Sequence, residues 1–206
     1  MANLAVYMNG YRVGTFTKAT SGAHQFQYHG SWLAQPGSRP ISLSMPLRHQ
    51  AYRGDEAYNF FDNLLPDNTE VRNRVVARYQ AASTQPFDLL SCIGQDSVGA
   101  LQLVTEGHEV PDVRRIDYKA LSDDELEQIL TSYKSGIPLG MVREQEEFRI
   151  SIAGAQEKTA LLYLDGRWYL PLNATPTTHI IKLPIGKIES HSYSIDLSQS
   201  VENEYL

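Results

Sequence analysis

The sequence predicts an α+β fold in which a β-rich opening leads into a helical block and then into a second β-region. Three observations predict it: an Asn9-Gly10 turn between two alternating runs, a change to helical spacing from Asp55, and a second tight turn at Asp165-Gly166. The elements follow in order.

Leu4 to Met8 and Tyr11 to Phe16 flank Asn9-Gly10, the dipeptide best suited to the two positive φ angles of a type I′ turn, so the chain opens with a β-hairpin. His24 to Tyr28 continues as a strand with Phe26 and Tyr28 on one side. Ile41, Leu43, Met45 and Leu47 alternate with Ser42, Ser44 and Pro46, which predicts a further half-buried strand ending near Pro46 or lying at an edge. From Asp55 the apolar positions Tyr58, Phe61, Leu64 and Leu65 fall on one helical face that Pro66 closes. A second helix, capped by Asn68 or Thr69, buries Val71, Val75, Val76 and Tyr79 and turns Arg72, Arg74 and Arg78 outward as a solvated face. Pro86 to Ile93 gives a third helix stopped by Gly94, and Val98 to Val104 returns to strand.

Glu106 to Ile116 has no clear period and reads as a connector. Ser122-Asp123-Asp124-Glu125 is a capping box, and the helix it starts carries Leu126, Ile129, Leu130 and Tyr133 before Gly136 and Pro138. Its acidic cluster is a helix start, complementary to the macrodipole, and no catalytic pair. Leu161 to Leu164 and Arg167 to Leu170 form a second hairpin, Thr178 to Leu183 a further strand, and a last helix begins near Asp196 or Ser198. These elements divide into a unit at 1–106, a helical connector at 107–146 and a β-region at 147–206.

The 206 residues are 42% hydrophobic and 20% charged, ordinary for a folded globular chain. A net charge of −6 argues against a general nucleic-acid or membrane binder, since both need a basic surface. Any DNA contact is expected to be local or made by a partner. One cysteine, Cys92, allows neither an internal disulfide nor a Cys-based zinc site. With no signal-peptide pattern at M-A-N-L-A-V, a cytoplasmic location is expected.

The stretch F-R-I-S-I-A-G-A-Q-E-K, Phe148 to Lys158, carries the chemistry. An apolar strand runs into small residues, Ala153, Gly154 and Ala155, whose backbone N–H groups can approach an anion, and Gln156, Glu157 and Lys158 follow. The competing reading is a hairpin corner with a surface lysine. It is no Walker A loop, because the glycine pair and the Lys-Ser/Thr ending are incomplete and a strand follows where that loop needs a helix. Lys182, in a strand, either snorkels to solvent or faces an anion. The six histidines have no H-x₃-H or HExxH spacing, no G-x-S-x-G elbow or GxGxxG fingerprint is present, and there is no kinase catalytic loop.

The chain closely resembles the N-terminal part of the HipA family, the kinase toxins of HipBA toxin–antitoxin systems. The resemblance rests on F-F-D-N-L-L-P-D (60–67), Q-P-F-D-L-L (85–90), S-V-G-A (97–100), I-P-L-G-M (137–141), F-R-I-S-I-A-G-A-Q-E-K-T-A-L-L (148–162), T-P-T-T-H-I-I-K-L-P (175–184) and D-L-S-Q-S-V-E-N-E-Y (196–205). It implies that residues 147–206 are the sheet with which a HipA-like kinase N-lobe begins. The family activity it implies is serine/threonine phosphorylation of glutamate–tRNA ligase, which stalls translation and promotes growth arrest and persistence. Restraint by the antitoxin HipB, through which DNA is mainly contacted, is implied as well.

On matching residues, Ala153, Gly154, Ala155, Gln156, Glu157 and Lys158 look like the loop over the ATP phosphates, and Lys182 like the lysine that pairs with them. Ser151 resembles the family's autophosphorylation site. Full-length members continue into a helical lobe with a D-G-H-x-x-N catalytic loop and a magnesium-binding Asp, neither of which occurs here. Phosphoryl transfer depends on charge neutralisation and a positioned base, so these residues alone are expected to be inactive, and their uptake of ATP and Mg²⁺ is open. The alternative is a non-catalytic, antitoxin-like module that binds a HipA-type kinase or HipB.

Overall fold

Asn9 and Gly10 take φ of 51° and 82°, the two positive values of the predicted turn, and join β1 (Ala2–Met8) to β2 (Tyr11–Lys18). In the computed structural model, which describes residues 1–67, 69–96, 100–110, 112–134, 158–182, 184, 186–189 and 193–205, this hairpin is the centre of a five-stranded sheet. β3 (His24–Tyr28) pairs with β2, β4 (Tyr52–Arg53) with β3, and β5 (Leu101–Thr105) with the other side of β1, every pair antiparallel. The order is β4-β3-β2-β1-β5, so the chain leaves the sheet for its helices and returns at the far edge. A short helix, α1 (Gly30–Leu33), follows β3 and buries Trp32.

The helical block is α2 (Asp55–Asp62), α3 (Thr69–Tyr79) and α4 (Pro86–Ile93). Phe61 of α2 is fully buried and stacks on Phe16 of β2, with ring centroids 3.8 Å apart. Phe26 and Phe87 close around the same pair at 5.6 Å from Phe61 and 5.5 Å from Phe16. Sheet and helices thus meet through aromatic rings, which bury large apolar area with defined geometry. Gly14 makes that approach possible, because a Cβ there would fall 2.5 Å from the Gln27 carbonyl oxygen and 2.6 Å from the Phe26 ring.

Several expectations need correction. Residues 41–47 are no strand; they form a turn with an isolated Ser42–Met45 bridge, and Leu43 is 97% exposed. The carbonyls a strand would offer a neighbour are taken by tyrosine hydroxyls: Tyr28 donates to Met45 O at 2.6 Å and Tyr52 donates to Pro46 O. α2 ends at Asp62, four residues before Pro66, and Leu64 and Leu65 continue in tighter turns bonded to Phe61 O and Asp62 O. Arg72 is no outward-facing charge. Its guanidinium binds the Asp62 carboxylate at 2.6 Å, Pro66 O at 2.6 Å and Asp62 O at 3.4 Å, satisfying the end of α2 from α3. Gly94 does not leave the helix in the left-handed region. Its φ is −69°, a 3₁₀ turn follows at Gly94–Asp96, and the glycine is needed because a Cβ would meet Leu103 Cβ at 2.8 Å.

The stretch expected as a helical connector contains β6 (Asp117–Ala120) before α5 (Asp123–Lys134). The capping box is reciprocal as predicted: Glu125 N donates to Ser122 Oγ at 3.1 Å, and Ser122 N donates to Glu125 Oε2 at 2.9 Å. β7 (Lys158–Leu164), β8 (Arg167–Leu172) and β9 (His179–Lys182) join β6 in a second sheet of order β6-β8-β7-β9. Asp165 and Gly166, at φ of 49° and 79°, make the second predicted hairpin turn. A separate hairpin of β10 (Gly186–Glu189) and β11 (Ser194–Leu197) was not anticipated. Asp196 therefore lies in a strand, opposite Lys187, and α6 (Ser200–Tyr205) starts later than expected. Among the described residues no helix is long and apolar enough to cross a membrane.

Phe61→Ala should cost about 3–5 kcal/mol, because the ring it removes joins sheet to helices and its cavity has rigid walls. Urea unfolding of the variant checks this, and a loss under about 1 kcal/mol would remove that ring from the core's centre.

Candidate functional site: a lysine pair across two strands

Antiparallel pairing of β7 with β9 sets Lys158 directly opposite Lys182, followed by Thr159 opposite Ile181, Ala160 opposite Ile180 and Leu161 opposite His179. Alternation along the strands puts Lys158, Ala160, Leu162, Ile180 and Lys182 on one face. Directly opposite residues in an antiparallel pair have Cβ atoms roughly 4.5–5.5 Å apart, and like charges so placed repel. Both lysines are half-buried. Two cations at one rung of a sheet, beside the buried Ala160 and Leu162, form a surface suited to an anion with several oxygens. Of the residues singled out in the sequence, Lys158 and Lys182 are thus brought together. Ser151, Ala153, Gly154, Ala155, Gln156 and Glu157 lie outside the described residues.

The register is held from the loop before β9. Thr178 N donates to Leu161 O at 3.0 Å, while Thr178 Oγ1 accepts from Tyr163 N at 2.7 Å. One residue therefore grips β7 by two backbone groups just before β9 begins. Upstream, Thr175 is 1% exposed, its N–H donates to Leu172 O at 3.1 Å, and its hydroxyl accepts from Asp117 N at 2.7 Å. Asp117 Oδ2 in turn accepts from Asn173 Nδ2 at 3.0 Å. The Arg115 guanidinium beside Asp117 holds that carboxyl below the usual carboxylate range. β6, β8 and the loop into β9 are clasped together in this way.

The opposite face of the sheet carries an aromatic group that sequence reading passed over. Tyr163, Trp168 and His179 pack edge to face or tilted, with centroids 4.7 to 5.5 Å apart. The signal was present in Tyr163 and Trp168, which flank a tight turn and are directly paired across it. Their rings pack on each other, which gives them a role in stiffening the hairpin.

Comparison with known proteins finds relatives for this chain. Residues 4–104 match the model of the HipA N-terminal domain. That match takes in just under half of the chain and makes residues 4–104 similar to a HipA N-terminal domain. It is 34% identical to a putative kinase, Y4mE, of Sinorhizobium fredii (strain NBRC 101917 / NGR234), over 96% of this chain and 48% of that protein. Similarity to the serine/threonine-protein kinase toxin HipA of Shewanella oneidensis is 24% over 87% of this chain and 39% of that protein. A solved Shewanella oneidensis MR-1 HipA, in complex with HipB and its operator DNA, shares the fold with a TM-score of 0.61 at 22% identity, over 87% of this chain and 40% of that one. The chain spans less than half the length of these relatives.

Thr175→Val should cost about 1–3 kcal/mol, since it strands the Asp117 N–H without its acceptor while keeping side-chain shape. Urea unfolding measures the loss; stability within a few tenths of a kcal/mol of the parent would show that the clasp carries no weight.

Proposed function

We propose that these residues are the N-terminal part of a HipA-type serine/threonine kinase toxin, and that Lys158 and Lys182 hold the phosphates of ATP. The observation that supports this reading is the direct opposition of the two lysines across β7 and β9. Lysine suits phosphate as a compact point charge on a flexible stem, and one oligophosphate can reach two lysines at a single rung. Backbone groups of Ala153, Gly154 and Ala155, with Gln156 and Glu157, complete the phosphate loop that leads into Lys158. In the complete protein ATP supplies the transferred phosphoryl group, and Mg²⁺, held outside these residues, neutralises its charge.

Ser151 is the autophosphorylation site in this reading. A phosphate there carries about −1.5 to −2 charge and is repelled by the ATP phosphates, so modification drives the loop out of the site. The protein substrate is glutamate–tRNA ligase, and its phosphorylation halts translation and promotes growth arrest and persistence. The partner is a HipB-type antitoxin that carries the DNA contact, and the complex works in the cytoplasm.

The test has two arms. In the complete protein, ATP with Mg²⁺ should raise the unfolding temperature of the parent and raise that of Lys182→Gln much less; an equal rise in both would remove Lys182 from the site. Ser151→Ala should keep phosphorylating where the parent silences itself, and equal self-inactivation would sink the switch.

A further inference from the structure

Beneath β3 lies a histidine whose ring takes no part in hydrogen bonding at its buried nitrogen. His24 opens β3, is 8% exposed, and its Nε2 is buried without a hydrogen-bond partner. Its ring stacks on Phe16 of β2 at 5.5 Å and 20°, and Tyr58 of α2 meets it edge-on at 5.4 Å. Lys18 is its direct partner across β2 and β3. Lys18 Nζ donates to both carboxylate oxygens of Asp88 on α4 at 2.8 Å, and Ser83 Oγ donates to Asp88 Oδ2 at 2.5 Å. The loop before α2 joins through Gly54 N, which donates to His24 O at 3.1 Å. Strands β2 and β3 and helices α2 and α4 therefore meet around one imidazole.

We propose that this seam is an acid-sensitive latch of the N-terminal domain, in which protonation of His24 loosens α4 from the sheet. The neutral ring is the better fit, because it stacks between aromatic groups and an unpaired neutral nitrogen at Nε2 costs less than a charged one. The imidazolium does not fit. It presents a buried, charged N–H with no acceptor, and such a group costs far more than a neutral one left unpaired. It also faces Lys18 across the strands. The one opposing charge acting on it, Asp88, is already engaged by Lys18 and Ser83, so a charged His24 competes with Lys18 for the carboxylate that ties α4 down.

Burial first, and Lys18 second, hold the His24 ring below its ordinary value of 6.5, against a weaker pull from Asp88. The unfolded chain then binds the proton at a higher pH than the folded one. Stability from this group is full above about pH 6.5 and falls as the pH drops through that value. Asp88 acts in a separate window. Burial pushes its carboxyl up, but the hydrogen bonds from Lys18 and Ser83 outweigh this and hold it down, so it stays ionised while His24 titrates.

The experiment uses the full 206-residue chain: histidine titration by NMR, and amide hydrogen exchange of α4 at about pH 7.5 and about pH 5.5, corrected for intrinsic rate. His24 is expected to titrate below the ordinary histidine value of 6.5. α4 protection should fall at the lower pH relative to β1, and His24→Gln should abolish that fall. Titration of His24 at or above 6.5, or equal loss of α4 protection in parent and variant, would overturn the latch. If His24→Gln does not fold, Lys18→Gln decides: it should move the His24 titration upward, and an unmoved titration contradicts the proposal.

Discussion

The pairing register of β7 with β9 is the constraint on which the proposed anion site depends. Shifted by one residue, the same strands would send Lys158 and Lys182 to opposite faces, and no anion would meet both. The register is set by Thr178, which takes Leu161 O and Tyr163 N of β7 just before β9 begins, and by the Thr175–Asp117 clasp upstream of it. In the proposed reading, that rung is where the phosphates of ATP are held.

The N-terminal domain works by a different principle. Its sheet and helices meet through Phe16, Phe26, Phe61 and Phe87, and the few polar groups in that seam are matched one to another. Lys18 and Asp88 are joined with both carboxylate oxygens engaged, and Asp88 also receives the Ser83 hydroxyl. Arg72 closes the end of α2 at Asp62 and Pro66, which gives a structural reason for the F-F-D-N-L-L-P-D run: two of its residues are the acceptors for an arginine six to ten positions on. His24 is the exception, buried with a nitrogen that nothing satisfies.

What was legible in the sequence was local. Asn9-Gly10 and Asp165-Gly166 name their turns through two residues, and Ser122 with Glu125 names a helix start through four, because each feature is decided by neighbours in the chain. Residues 41–47 were misread because the alternation was real but the partners were not. Their carbonyls are claimed by Tyr28 and Tyr52, which no local pattern reveals. Arg72 looked like surface for the same reason, its acceptors lying on another element. Lys158 and Lys182 stand out one at a time in their local patterns, and the family resemblance adds the ATP phosphates as their common target. That they stand opposite each other follows from the β7–β8 hairpin and the loop at residues 173–178, whose hydrogen bonds only the folded chain displays.

The most direct measurement is a double-mutant cycle on the affinity of the complete protein for ATP with Mg²⁺, using Lys158→Gln, Lys182→Gln and both together. If the two side chains grip one phosphate group, the losses are coupled, and the double variant differs from the sum of the singles by more than about 0.5 kcal/mol. Strictly additive losses, or an affinity that neither substitution changes, would contradict a shared anion site at this rung.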